Sequence, residues 1–185
     1  MHMKKVHFVT TNHDKFIKFR KAVPHVEGVE IMQLEVETPE IQARDNKDVA
    51  RYSAKWAADK YHAPVIKEDV GMYIEALDGF PGPYLNHVEK WIKADGFLNL
   101  LRGVSIRKAN FELCVAYCEP GKEPVCFSTY ITGSFGYESK GKGGWIVDKL
   151  FIPDGGTKTI AELIDDNEFA RNERHYLDLA NHLSQ

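Results

Sequence analysis

The stretch Lys5 to Val23, KVHFVTTNHDKFIKFRKAV, decides how the fold begins. Its first six residues, Lys5 to Thr10, form a β-rich run that stops at Thr11-Asn12, and beyond it Phe16, Phe19, Ala22 and Val23 recur at helical spacing. The reading is strand, tight loop, helix. Working outward, Val29 to Leu34 is a second strand, and Val49 to Tyr61 carries apolar residues with the 3.6 period of an amphipathic helix. Between them lies the acidic, proline-containing segment Glu35 to Asp48. Pro64-Val65-Ile66 reads as a short buried strand ending at Lys67-Glu68-Asp69, with Gly71 to Ala76 continuing in alternating character, so the carboxylates are expected at a strand terminus. After the turn Asp78 to Pro83, His87 to Arg102 is again helical in period. Phe111 to Tyr117 and Val125 to Gly133 read as hairpin strands joined through Glu119-Pro120-Gly121-Lys122. A glycine- and lysine-rich loop spans Lys140 to Gly144, a short helix starts at Thr159 and runs to Leu163, and Glu168 to Leu183 reads as the final helix. Alternating α and β elements followed by a β-rich middle predict an α/β fold with a mixed sheet, in two lobes around a cleft.

Composition narrows the function classes. The 185 residues hold 24 Lys and Arg against 27 Asp and Glu, a formal charge of −3, with 43% apolar residues, enough material for a core, and describe a single domain over residues 1–185 or two small lobes sharing a core. No apolar run approaches the ~18 residues that cross a bilayer, and the start of the chain lacks the basic-then-apolar order of a secretory signal. The expectation is a cytoplasmic protein with no membrane partner. A mildly acidic total argues against duplex binding, which depends on clustered Lys and Arg, and no basic stripe interleaved with aromatics is present, so no nucleic-acid partner is expected. Cys114, Cys118 and Cys126 lack the spacing of a zinc site and read as reduced, structural thiols.

Thr10-Thr11-Asn12-His13-Asp14-Lys15 lies at a strand-to-helix junction, where free N–H groups and the helix dipole favour an anion and Lys15 adds charge. The plain alternative, favoured from this segment alone, is that Thr11 or Asn12 caps the helix. The glycines of a Walker loop are absent. Glu68 and Asp69, with Glu40 from the acidic loop, could converge on a hard divalent cation such as Mg²⁺, which takes carboxylate and phosphate oxygens; singly, acidic residues there are more often solvated or capping groups. Trp145 could stack on a base or sit as a partly buried loop aromatic. Arg174 could reach a phosphate or carbonyl, although most helix arginines are solvated. His175 and His182 read as surface residues of the last helix.

Taken together, VTTNHDK, PEIQ (Pro39 to Gln42), EDVGMYIEALDGFPGPY and DKLFIPDGGTKTIAEL resemble, in order and spacing, the motif blocks of the inosine triphosphate pyrophosphatase family, enzymes that clear non-standard purine nucleoside triphosphates as monophosphate and pyrophosphate. The resemblance implies an elongated α/β fold with a long mixed sheet flanked by helices, a central nucleotide cleft between two lobes, a nucleoside triphosphate substrate and a homodimer. It implies Mg²⁺, with Mn²⁺ as an alternative, held by Glu40 and Asp69 with Glu68 beside them. It puts Asp69, Glu68 and Lys15 in catalysis, and Thr10, Thr11, Asn12 and Lys15 on the triphosphate, with Val70 at the Ser/Thr position of the E-D-S/T-G block. The base-stacking position falls on Trp145, its following acid on Asp148, and the terminal base-recognition motif on Asn172, Glu173 and Arg174.

Departures from the family pattern concentrate at the base-reading positions. Trp145-Ile146-Val147-Asp148 replaces F-G-Y/W-D, Asn172-Glu173-Arg174 replaces S-H-R, Glu168 stands where a lysine is expected, Lys18 replaces an acid and Ser53 a lysine. An ionised glutamate accepts where the family donates, which points toward a base bearing an exocyclic amine. The rival function, supported by Lys18, is a catalytically weak nucleotide-binding or regulatory protein that keeps the fold.

Overall fold

A computed structural model describes residues 3–170 and 172–185. The elements follow one another as β1 (Lys4–Val9), α1 (His13–Ala22), β2 (Val29–Leu34), α2 (Asn46–Tyr61), β3 (Val65–Ile74), β4 (Pro81–Gly82), α3 (Leu85–Leu100), β5 (Lys108–Cys118), β6 (Val125–Phe135), β7 (Phe151–Pro153), α4 (Ile160–Asp165) and α5 (Arg174–Leu183). The strands form one seven-stranded sheet in the order β2-β1-β3-β5-β6-β7, with β4 paired to β3. β1 is parallel to both β2 and β3, as crossovers through α1 and α2 require, while β4 and β7 pair antiparallel to β3 and β6. The sheet is therefore mixed, as expected.

The chain divides into two compact units, the first made of the residues up to Asp69, Leu113–Thr129 and Glu173–Gln185, the second of Val70–Glu112 and Tyr130–Asn172. In the first, the period-2 alternation of the strands sends alternate side chains to opposite faces. Val6, Phe8, Ile31, Ile66 and Val115 meet α1 and α5 through Phe19, Tyr176, Leu179 and Leu183, while Val9, Val65, Cys114 and Ala116 meet α2. Phe8 stacks on Phe19 at 4.1 Å between centroids, and the edge of Tyr176 closes on Phe19 at 5.3 Å. α2 presents Ala50, Ala54, Ala57 and Ala58, all fully buried, so its backbone can lie close to the sheet. Truncating a ring such as Phe8 in this core costs about 3–5 kcal/mol.

In the second unit, Met72, Ile74, Leu85, Phe97, Phe111, Phe135, Leu150, Phe151 and Ile160 form one core. Arg107 is buried yet satisfied: its guanidinium donates to the carbonyls of Leu101, Phe135 and Gly136 at 2.7, 2.9 and 2.7 Å. α3 is interrupted at Lys93, whose φ of 57° lies outside the helical region. Thr159 caps α4 with the reciprocal Thr159–Glu162 capping box. None of the three cysteines is in a disulfide.

Three local expectations change. Lys67, Glu68 and Asp69 lie inside a single ten-residue strand rather than at its terminus. The last helix starts at Arg174, not Glu168, because Glu168 is drawn into an ion pair with Lys158 at 2.8 Å and its backbone N–H bonds back to Leu163. His175, expected on the surface, is fully buried against Tyr176.

Candidate functional site

The strand-to-helix junction of the first unit is locked by short-range bonds. Asn12 is the N-cap of α1, its Oδ1 accepting from the Lys15 N–H at 3.0 Å, and Thr10 Oγ1 accepts from the Asn12 N–H at 3.1 Å. The capping alternative is thus what the segment does. Gln33 on β2 then fixes the loop from the side: its Nε2 donates to the Thr10 carbonyl at 3.0 Å and its Oε1 pairs with His13 Nδ1 at 2.8 Å. No motif signals Gln33 in the sequence; only the β1–β2 register brings it there.

Capping directs Lys15 back over the sheet. Its Nζ donates to the Glu68 carbonyl at 3.3 Å and lies 3.8 Å from Glu68 Oε2, with Glu68 buried and Lys15 partly exposed. Asp69 follows on β3, its carbonyl accepting from the Nδ2 of fully buried Asn46 at 3.5 Å. The acidic loop is tethered by Ser53, whose Oγ donates to the Pro39 carbonyl at 3.1 Å, leaving the neighbouring Glu40 exposed. Lys67 ties these groups together. Burial lowers its pKa, Lys15 lowers it further, and Glu40, Asp69 and Glu68 act in the opposite direction, so the charges of the expected Lys15, Glu40, Glu68 and Asp69 are all felt at one ammonium that no sequence motif marks. Thr11 and Lys18 are exposed.

Among the described residues, no three His, Cys, Asp or Glu side chains form a ready-made metal cage. Mg²⁺ does not need one, since it is typically held by one or two carboxylates plus substrate phosphates. Carboxylate oxygens from Glu40 and Asp69 are a donor set of that hard-oxygen kind, and the residues present fit the ion.

In the second unit, Trp145 is 42% exposed and its loop is pinned by three carboxylates. Its N–H donates to Asp148 Oδ2 at 2.7 Å, and Asp165 accepts from the N–H groups of Lys142 and Gly143 at 2.8 and 3.0 Å. Glu89, on α3, accepts from the N–H groups of Val147 and Ile146; burial pushes its pKa up against those bonds, and the nearby Asp148 charge pushes the same way. Gly144 has to be glycine, because its φ is 71° and a Cβ would stand 2.2 Å from Asp148 Oδ2. Asp148 is buried beneath the loop it holds, and Val70 packs on the second unit's core. Glu173 and Arg174 are exposed at the start of α5, where Arg174 Nε pairs with Asp178 at 2.9 Å, one turn on.

The model of the Ham1 family matches residues 6–175. The chain belongs to the Ham1 family. Within it, the chain is 41% identical over 159 residues to the dITP/XTP pyrophosphatase of Methanopyrus kandleri, covering 86% of this chain and 84% of that one. It is 39% identical over 180 residues to the dITP/XTP pyrophosphatase of Thermococcus kodakarensis, covering 96% of each. Among solved structures, the Ham1 protein from Coxiella burnetii superposes with a TM-score of 0.84 at 22% identity, over 98% of this chain and 99% of that one. The Staphylococcus aureus Ham1 protein does so with a TM-score of 0.79 at 21% identity, over 96% and 97%. The fold of this Ham1 chain is thereby placed, and the resemblance read from the motif blocks holds.

Proposed function

We propose that this chain is a nucleoside triphosphate pyrophosphatase, hydrolysing non-standard purine ribo- or deoxyribonucleoside triphosphates to monophosphate and pyrophosphate. Relatives named dITP/XTP pyrophosphatases, 34–41% identical over most of the chain, support the activity. The single structural observation that carries it is the Lys15 ammonium held against Glu68, within a group that also contains Glu40, Asp69 and Lys67. That combination of cations for phosphate and carboxylates for water and metal is what phosphoanhydride hydrolysis needs.

By this reading Thr10, Asn12 and Lys15 position the triphosphate, with Lys15 bonding to its oxygens. Asp69, with Glu68 beside it, orients a water and takes its proton as the water oxygen attacks the α-phosphorus; the bond from the α-phosphorus to its bridging oxygen breaks, and pyrophosphate leaves. Glu40 and Asp69 would hold Mg²⁺, which shields phosphate charge and stabilises the leaving pyrophosphate. Trp145 offers an exposed indole face for a purine, while Asp148 and Glu89 keep that loop in place.

The test is pyrophosphate release with Mg²⁺ from a panel of standard, deaminated and modified nucleoside triphosphates, using wild-type protein and Asp69→Asn. Turnover by the first and its loss in a folded second support the reading. A folded wild type silent on every substrate overturns it in favour of a nucleotide-binding protein, and a fully active Asp69→Asn removes Asp69 from the mechanism.

A further inference from the structure

Lys67 sits inside β3, on the same face as Asp69 and two residues before it. Its side chain is partly buried, and among the described residues its ammonium makes no hydrogen bond or ion pair; its neighbours Lys15, Glu40, Asp69 and Glu68 act on it only through their charge. Lys15 differs, since its ammonium is already committed to Glu68. The packing asks only for an unbranched stem, which a methionine would supply at less desolvation cost. The charged head therefore serves something the folded chain itself does not provide.

Charge shows what that is. Without Lys67 the group would set one ammonium against three carboxylates, a field that repels a polyphosphate. With it, a second ammonium stands against the three carboxylates, and among the described residues no protein acceptor takes up its three N–H donors. We propose that Lys67 is a second phosphate-binding residue of this site, gripping the substrate polyphosphate beside Lys15 and making its capture less dependent on a divalent cation. This rests on the pyrophosphatase reading above. The same charge acts with the opposite sign on a cation, because an ammonium among the carboxylates weakens metal binding to the substrate-free protein.

The test measures both signs on the full chain by isothermal titration calorimetry, comparing wild type, Lys67→Met, Lys67→Gln and Lys67→Arg, with thermal melts to show that each is folded. Inorganic tripolyphosphate in EDTA is one probe, and Mn²⁺ without nucleotide is the other. The neutral variants are expected to bind tripolyphosphate about tenfold or more weakly, the loss of one charge-assisted contact, and to bind Mn²⁺ more tightly; Lys67→Arg stays near wild type on both. A purely structural lysine would not move the two affinities in opposite directions. Unchanged tripolyphosphate affinity in whichever neutral variant folds overturns the role of Lys67 alone, provided the wild type turns over nucleotide. A wild type that neither binds tripolyphosphate nor hydrolyses any nucleotide overturns this proposal together with the function it rests on.

Discussion

The two units place their candidate residues by different means. In the first, Lys15 and the carboxylates of β3 are positioned by the backbone: Asn12 caps α1, the cap aims Lys15, and the β1–β2 register delivers Gln33. In the second, Trp145 stands on a loop that runs into the short 3-10 turn Val147–Lys149, and Asp148, Asp165 and Glu89 accept N–H groups of that loop, with the Lys140 N–H adding a bond to the Lys149 carbonyl. One region is held through secondary structure, the other through carboxylates that accept loop N–H groups, buried at Asp148 and Glu89 and exposed at Asp165. Substitutions should therefore fail differently, the first mainly in chemistry and the second mainly in substrate affinity.

The largest expected effect is on Asp69→Asn. Removing the group that orients and deprotonates water should lower kcat by roughly a thousandfold, with the melting temperature shifted by only a few degrees; steady-state kinetics and calorimetry read both. Lys15→Met comes next, with about a hundredfold loss in kcat/KM, because a charge-assisted phosphate contact worth roughly 1.5–3 kcal/mol is removed along with the tie to the Glu68 carbonyl. In the second unit, Asp148→Ala frees the Trp145 N–H and should raise KM by about tenfold with kcat less affected, and tryptophan fluorescence should report a looser indole. A kcat loss in Asp148→Ala as large as that of Asp69→Asn would break the contrast between the regions.

The smallest effect belongs to Glu119, a charge of the first unit whose partners Lys4, Tyr117 and Lys122 lie outside the candidate site. Hydrogen bonds from Lys122, Lys4 and Tyr117 pull its pKa down from 4.5 to about 2. A lowered folded-state value means that its stabilisation is present above about 4.5 and is lost as the pH falls toward about 2. With the side chain 25% exposed, Glu119→Gln should cost about 1 kcal/mol at pH 7 in urea unfolding. That difference from wild type should vanish near pH 2 while nucleotide turnover at pH 7 stays unchanged.

Most of the fold was legible because it is local. β1, β2, α2 and the hairpin strands show their period and their turns, and the capping of α1 is written in Asn12. β3 was harder. Three consecutive charges ordinarily end a strand, yet here Lys15 takes the Glu68 carbonyl and Asn46 donates to that of Asp69, so the strand continues through them. α5 is hard to read for a related reason: its apolar stripe is clear, but His175 joins the buried face and its backbone N–H donates to Thr129 Oγ1 at 2.9 Å, 46 positions away. Lys67, Gln33 and Glu89 carry no sequence signal because their significance depends on partners brought in by tertiary structure. Each is an unremarkable polar residue in its own segment.

The central claim is that the charged group on β3 and α1 cleaves a nucleoside triphosphate between its α- and β-phosphates. The direct measurement is the identity of the products when the wild-type protein is given deoxyinosine triphosphate and Mg²⁺, followed by ³¹P NMR. The account predicts stoichiometric monophosphate and pyrophosphate, with neither formed by Asp69→Asn. Nucleoside diphosphate and orthophosphate would contradict it, because attack would then fall on the γ-phosphorus and not on the atom these residues are assigned to present.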